Sequence, residues 1–149
     1  MLERLTFLLA VIGYAGLTLT AVLAATSRFP ARLWRGVALV IVLHVLMVWA
    51  VRYDWRLGEA TRNGVVGFLL FHGALALILA SLFLREERAR RLVWTAYAIV
   101  TLGALGAVFT YEVVAPYRIP VILLAIGGAT ALAWCAWVGR RRGRVRSAV

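Results

Sequence analysis

Residues 64–84 read GVVGFLLFHGALALILASLFL, a run of 21 residues without a charged side chain. A helix rises about 1.5 Å per residue, so a bilayer core of roughly 30 Å needs about 20 apolar residues per crossing. Four other stretches are long and mainly apolar: 5–25, 36–53, 92–114 and 118–138. The sequence therefore predicts about five transmembrane helices in a single domain covering residues 1–149.

The composition predicts an all-α membrane fold. Hydrophobic residues make up 64% of the 149 residues, more than a soluble domain of this length can bury. Backbone groups in lipid must bond within one helix or within a closed barrel. Because uninterrupted apolar runs lack the alternation of barrel strands, we predict a polytopic helical bundle in contact with the lipid bilayer.

The orientation is predicted from the arginines, since positive loops stay on the cytoplasmic side. All 17 basic residues are arginine, a composition typical of bacteria with GC-rich genomes. With five spans, twelve arginines fall on one side and five on the other. We therefore expect the amino terminus outside and the carboxyl terminus inside the bacterial inner (cytoplasmic) membrane. Because the arginines lie where topology needs them, the net charge of +11 does not predict a nucleic-acid partner.

The first span has some features of a signal peptide, because it ends in Ala24-Ala25-Thr26-Ser27. Its apolar run is longer than the usual signal core, and Glu3 weakens the positive start that such peptides have. We therefore expect the first span to be retained.

The polar residues do not predict soluble-enzyme chemistry. Cys135 is the single cysteine, which excludes an intrachain disulfide and a cysteine-based metal cage within this chain. The few acidic residues lie mostly in loops, and no glycine-rich phosphate loop or Ser-His-Asp arrangement can be assembled. A non-catalytic or electron-transfer subunit is favoured over a self-sufficient enzyme.

The only two histidines, His44 and His72, lie near the middle of successive apolar stretches. Ionisable side chains are expensive at the centre of a bilayer, so a pair at one depth favours a shared role. His44 is eight residues from Arg52 and His72 is ten residues from Arg62. Both should lie roughly 12–15 Å below the outer boundary. Because antiparallel helices joined by a short connection usually pack together, we expect the two imidazoles to face each other.

Two facing imidazoles predict a b-type haem, with His44 and His72 as the ligands of its iron. Glycines would let the macrocycle approach the backbone, phenylalanines would form an apolar wall, and arginines would pair with the propionates. The residues predicted to complete this site are Gly64, Gly67, Gly73, Phe68, Phe71, Arg52, Arg56 and Arg62. A quinone site and cofactor-free hydrogen bonds between helices are alternative roles for the histidines.

A short pattern near the outer boundary also involves His44, which is followed by Tyr53-Asp54. Over these few residues the chain resembles membrane anchor subunits of the succinate dehydrogenase class, in some of which a histidine precedes an acidic–tyrosine pair. The order is reversed here, and those anchors usually have three spans. The pattern therefore assigns no family.

Three functions remain compatible with the sequence. The first is a small membrane subunit of a respiratory or photosynthetic electron-transfer complex, with haem b bound as in a cytochrome b. The second is a non-catalytic scaffold or accessory subunit, and both of these require other membrane protein subunits as partners. The third is a small transporter or proton channel, for which only His44, His72, Glu112 and a few hydroxyls could line a path.

Overall fold

The computed structural model describes residues 2–26, 29–62 and 64–146, and within these ranges it contains helices and no β-strand. The α-helices of the described residues are α1 (Leu2–Thr26), α2 (Ala31–Val51), α3 (Leu57–Thr61), α4 (Val65–Ser81), α5 (Glu86–Thr110) and α6 (Arg118–Arg146). A 3₁₀ helix, Glu112–Tyr117, joins α5 to α6. The predicted all-helical architecture is confirmed.

Four helical segments of the described chain are long and apolar enough to cross a membrane. They are α1, α2, α5 and the segment Glu112–Val138, which combines the 3₁₀ helix with most of α6. The remaining predicted span corresponds to α4, which is apolar but has only 17 residues. Its length is about 25 Å, below the thickness of a bilayer core. The chain is a multi-pass membrane protein whose apolar helices contact lipid.

Three helices extend beyond their predicted spans: α6 ends at Arg146 instead of residue 138, α2 begins at Ala31 instead of residue 36, and α5 begins at Glu86 instead of residue 92. Glu86 and Glu87 lie in its first turn, where carboxylates interact favourably with the positive end of the helix dipole. Each carboxylate also pairs with an arginine one turn later, Arg90 and Arg91 respectively. These polar residues therefore extend the helix beyond the apolar run.

Helix α1 contacts three other long helices, α2, α5 and α6, whereas α4 packs chiefly on α5. Helices α2 and α4 meet as predicted, through the Trp34–Ser81 and Trp49–His72 hydrogen bonds, but over a smaller area than α1 with α2 or α4 with α5. Helix α1 lies close against α2. A Cβ placed on Gly16 would lie 2.7 Å from Val37 Cγ2, so only glycine lets these backbones come so near.

Candidate functional site

His72 lies near the middle of α4, on the side of this helix that meets α2. Its Nδ1 is 2.9 Å from the Phe68 carbonyl oxygen, and its Nε2 is 3.1 Å from the indole nitrogen of Trp49. A carbonyl only accepts and an indole only donates, so Nδ1 carries the proton and Nε2 carries the lone pair. Both ring nitrogens of His72 are thus hydrogen-bonded to protein groups.

An aromatic cluster surrounds this hydrogen bond. The ring of Trp49 lies 5.8 Å from Tyr53, 6.2 Å from Trp55 and 5.8 Å from His72, measured between centroids. Phe68 stacks on the imidazole of His72 at 4.0 Å and 26°. Trp49, Tyr53, Trp55, Phe68 and His72 form the aromatic cluster, in which Phe68, predicted as a wall of the haem site, covers the imidazole face.

His44 lies on the face of α2 that meets α1. Its Nδ1 is 2.9 Å from the carbonyl oxygen of Thr6, which again makes Nδ1 the donor and leaves the lone pair on Nε2. Positions 44 and 49 differ by five residues, so their side chains point about 140° apart around α2. Trp49 meets α4, and His44 therefore points away from the helix that carries His72.

The two histidines nevertheless occupy matching positions along their helices. His44 is seven residues before Val51, the end of α2, and His72 is seven residues after Val65, the start of α4. For both to bind one iron, the Trp49–His72 hydrogen bond would have to break and His44 would have to turn from α1. The two histidines therefore do not point at each other, and His72 lies beside Trp49, five residues beyond His44 on α2.

The arginines predicted for the propionates have other partners. Arg52 lies 3.4 Å from Glu3 and its guanidinium is 5.7 Å from the centroid of Phe7, both on α1. Arg62 pairs with Glu59 at 3.4 Å, and Arg56 pairs with Asp54 at 3.2 Å. Arg52 thus joins α2 to α1, whereas the other two pairs lie in the exposed connection between α2 and α4.

The predicted glycines leave open space beside α4. A Cβ placed on Gly64, Gly67 or Gly73 would meet no atom within 4 Å. Phe71 instead packs on α5, where its ring would lie 2.9 Å from a Cβ placed on Gly103. All three glycine positions are exposed, and Gly67 and Gly73 point about 120° apart around α4, so Phe71 and these glycines do not enclose one cavity.

The sequence reasoning missed the role of the tryptophans on α2. Trp34 donates from its indole nitrogen to Ser81 Oγ at 2.8 Å, and Trp49 donates to His72 in the same way. An indole N–H buried in an apolar span needs a hydrogen-bond acceptor. This requirement could have predicted that the tryptophans of α2 bond polar side chains on a neighbouring helix. The two helices meet through one donor–acceptor pair near each end.

The buried polar groups are satisfied within the chain. Every buried side-chain nitrogen or oxygen of the described residues has a hydrogen-bond partner. The hydroxyl of Tyr14, for example, donates to Thr101 Oγ1 at 2.9 Å and so joins α1 to α5. These bonds position the helices against one another.

Comparison of this chain with protein-family models, with curated proteins and with solved structures finds no match. Its function is therefore inferred from its own residues.

Proposed function

We propose that this chain is a non-catalytic accessory subunit that acts as a scaffold in a larger membrane complex. The observation that supports this proposal most is the use of both intramembrane histidines as links between helices. His44 bonds α2 to α1, and His72 bonds α4 to α2. Hydrogen bonds of this kind hold helices of a membrane bundle in place, each contributing about 0.6–1.7 kcal/mol.

The exposed faces of the bundle support contact with partner subunits. Large apolar side chains on α4 and α6 are turned outward, among them Val66, Leu69, Ile119 and Leu123. The open position at Gly67, on the helix next to the exposed Val66, would let a partner helix approach the backbone of α4 closely. These faces meet lipid where no partner covers them.

For the topology we propose five spans in a bacterial inner membrane, with the amino terminus outside and the carboxyl terminus inside. The excess of arginines at the end where α2 and α5 begin supports this orientation. Helix α4 is short for a crossing, but a short span is accommodated by local thinning of the bilayer at modest cost. We call the arginine-rich end of the bundle the inner end.

Isolation of the tagged chain from its native membrane in a mild detergent tests the scaffold proposal. We expect it to migrate on a native gel with other membrane proteins in fixed stoichiometry, well above its own mass of 16.4 kDa. The same chain expressed without its host partners is the control and should migrate alone. A native preparation that contains only this chain would contradict the proposal.

A haem-binding electron-transfer subunit of a respiratory or photosynthetic complex is the second candidate. It is favoured by the shared tautomer of the two histidines, since a metal-bound imidazole usually donates its other N–H to a carbonyl or carboxylate. Nε2 of His44 takes part in no hydrogen bond among the described residues, which leaves its lone pair for a ligand. A bound haem b would carry one electron at a time, exchanging with a quinone or a partner subunit.

A dithionite-reduced minus oxidised spectrum of the native preparation tests this candidate. A b-type α-band at near one haem per chain, lost in both His44→Ala and His72→Ala but kept in Tyr14→Phe, is the expected result. A colourless native complex that retains its helical circular dichroism would exclude the haem and leave the scaffold role.

A further inference from the structure

A cavity of about 150 Å³ lies at the inner end of the bundle, where α2 and α5 begin and α4 ends. Trp34, Ser81 and Ala89 contribute to its walls from these three helices, together with the charged residues Arg35 and Glu86. Trp34 is 1% exposed and bonded to Ser81, so this part of the cavity is fixed by buried contacts. The site is preformed.

The charge of Glu86 is compensated inside the chain. One of its carboxylate oxygens accepts a hydrogen bond from the backbone nitrogen of Phe29 at 2.7 Å and another from Arg90 at 3.2 Å. These two donors come from the segment before α2 and from α5 itself. Glu86 therefore holds two elements together, and its negative charge is paired with Arg90.

Arg35, in contrast, makes no ion pair and no side-chain hydrogen bond with any described residue. Arg35 is exposed and lines the cavity together with Ala31, the first residue of α2. No side chain caps α2, and although the Ala31 nitrogen donates to the Phe29 carbonyl at 2.9 Å, the first turn presents the positive end of the helix dipole. The cavity thus combines an arginine that has no ion pair among the described residues with a favourable field for an anion.

We propose that this cavity binds the phosphate group of an anionic phospholipid, with Arg35 as its principal contact. A volume of about 150 Å³ is below the roughly 300 Å³ of a pocket for a drug-sized ligand. This size suits a phosphate group, while the lipid chains would lie in the bilayer. Phe83, 87% exposed at the end of α4, and Leu84 beside the cavity provide apolar surface for them.

The recognised chemistry is a phosphate oxyanion, which a lipid headgroup shares with free inorganic phosphate. The position of the cavity at the end of apolar helices favours the lipid, because its chains gain contact with the bilayer while the headgroup reaches Arg35. This inference does not depend on the scaffold or haem proposals.

Native mass spectrometry of the purified full chain in detergent, titrated with phosphatidylglycerol, tests the proposal. Arg35→Gln should weaken binding about tenfold, as expected for the loss of a charge-assisted hydrogen bond. Arg88→Gln, an exposed arginine of α5 outside the cavity, is the matched control and should change binding less than about twofold. Equal losses in the two variants would mean a diffuse basic surface and would overturn the proposal.

A second variant tests the cavity without changing its charge. Ala31→Leu adds apolar volume at the cavity wall on an exposed position, and it should also weaken binding of phosphatidylglycerol. Unchanged binding of phosphatidylglycerol by Ala31→Leu would overturn the assignment of the lipid to this cavity. Equal binding of phosphatidylcholine by the natural chain would overturn the preference for an anionic lipid and so the proposal. Displacement of the lipid by an equal concentration of inorganic phosphate would identify free phosphate as the ligand and overturn the lipid assignment.

Discussion

Single residues decide how closely these helices approach one another. Two adjacent glycines of α6, Gly127 and Gly128, differ in the space available beside them. A Cβ placed on Gly127 would meet no atom within 4 Å. A Cβ placed on Gly128 would collide with the Tyr97 hydroxyl and would lie 2.7 Å from Thr18 Cγ2. Tyr97 is 5% exposed and donates to the carbonyl of Ala125 at 3.4 Å, so it cannot move away without losing this bond.

We therefore expect Gly128→Ala to lower the free energy of unfolding by about 1–3 kcal/mol through overpacking. Gly127→Ala is the matched control, and its effect should stay within about 0.5 kcal/mol of zero or be slightly stabilising. Reversible unfolding in mixed micelles measures both values. Similar values for the two variants would show that α6 does not pack on α1 and α5 as described.

At the scale of elements, α4 is the helix whose behaviour in the membrane most affects the topology. It is the shortest of the long helices, and its contact with α2 is limited while its contact with α5 is extensive. If it crosses the bilayer, the connections before and after it lie on opposite sides. If it does not cross, they lie on the same side and the chain has four spans.

Cysteine labelling distinguishes these two topologies. Cys135 is the only cysteine, so Cys135→Ala provides a cysteine-free background. Glu59→Cys and Glu87→Cys then place one exposed thiol on either side of α4. In intact cells we expect a membrane-impermeant maleimide to label position 59 and to reach position 87 only after permeabilisation. Labelling of both positions from outside would contradict a crossing by α4.

At the scale of the whole molecule, the bundle is organised around α1, which α2, α5 and α6 contact. Among its polar side chains, Tyr14 donates to Thr101 of α5, whereas Thr18 and Thr20 donate to carbonyls one turn back in α1 itself. The outward faces are apolar, and the charges are concentrated at the two ends. This distribution is typical of a helical bundle whose helices are joined by interior contacts and whose apolar surface contacts lipid or partner subunits.

The sequence by itself determined the helical fold and the membrane environment, because these follow from run lengths and composition. The common depth of the two histidines stays a prediction from their spacing along the helices. Only the tertiary structure decided that His44 bonds Thr6 and that His72 bonds Trp49. The partner that a side chain meets depends on which helices pack together, and neither run length nor composition determines that packing.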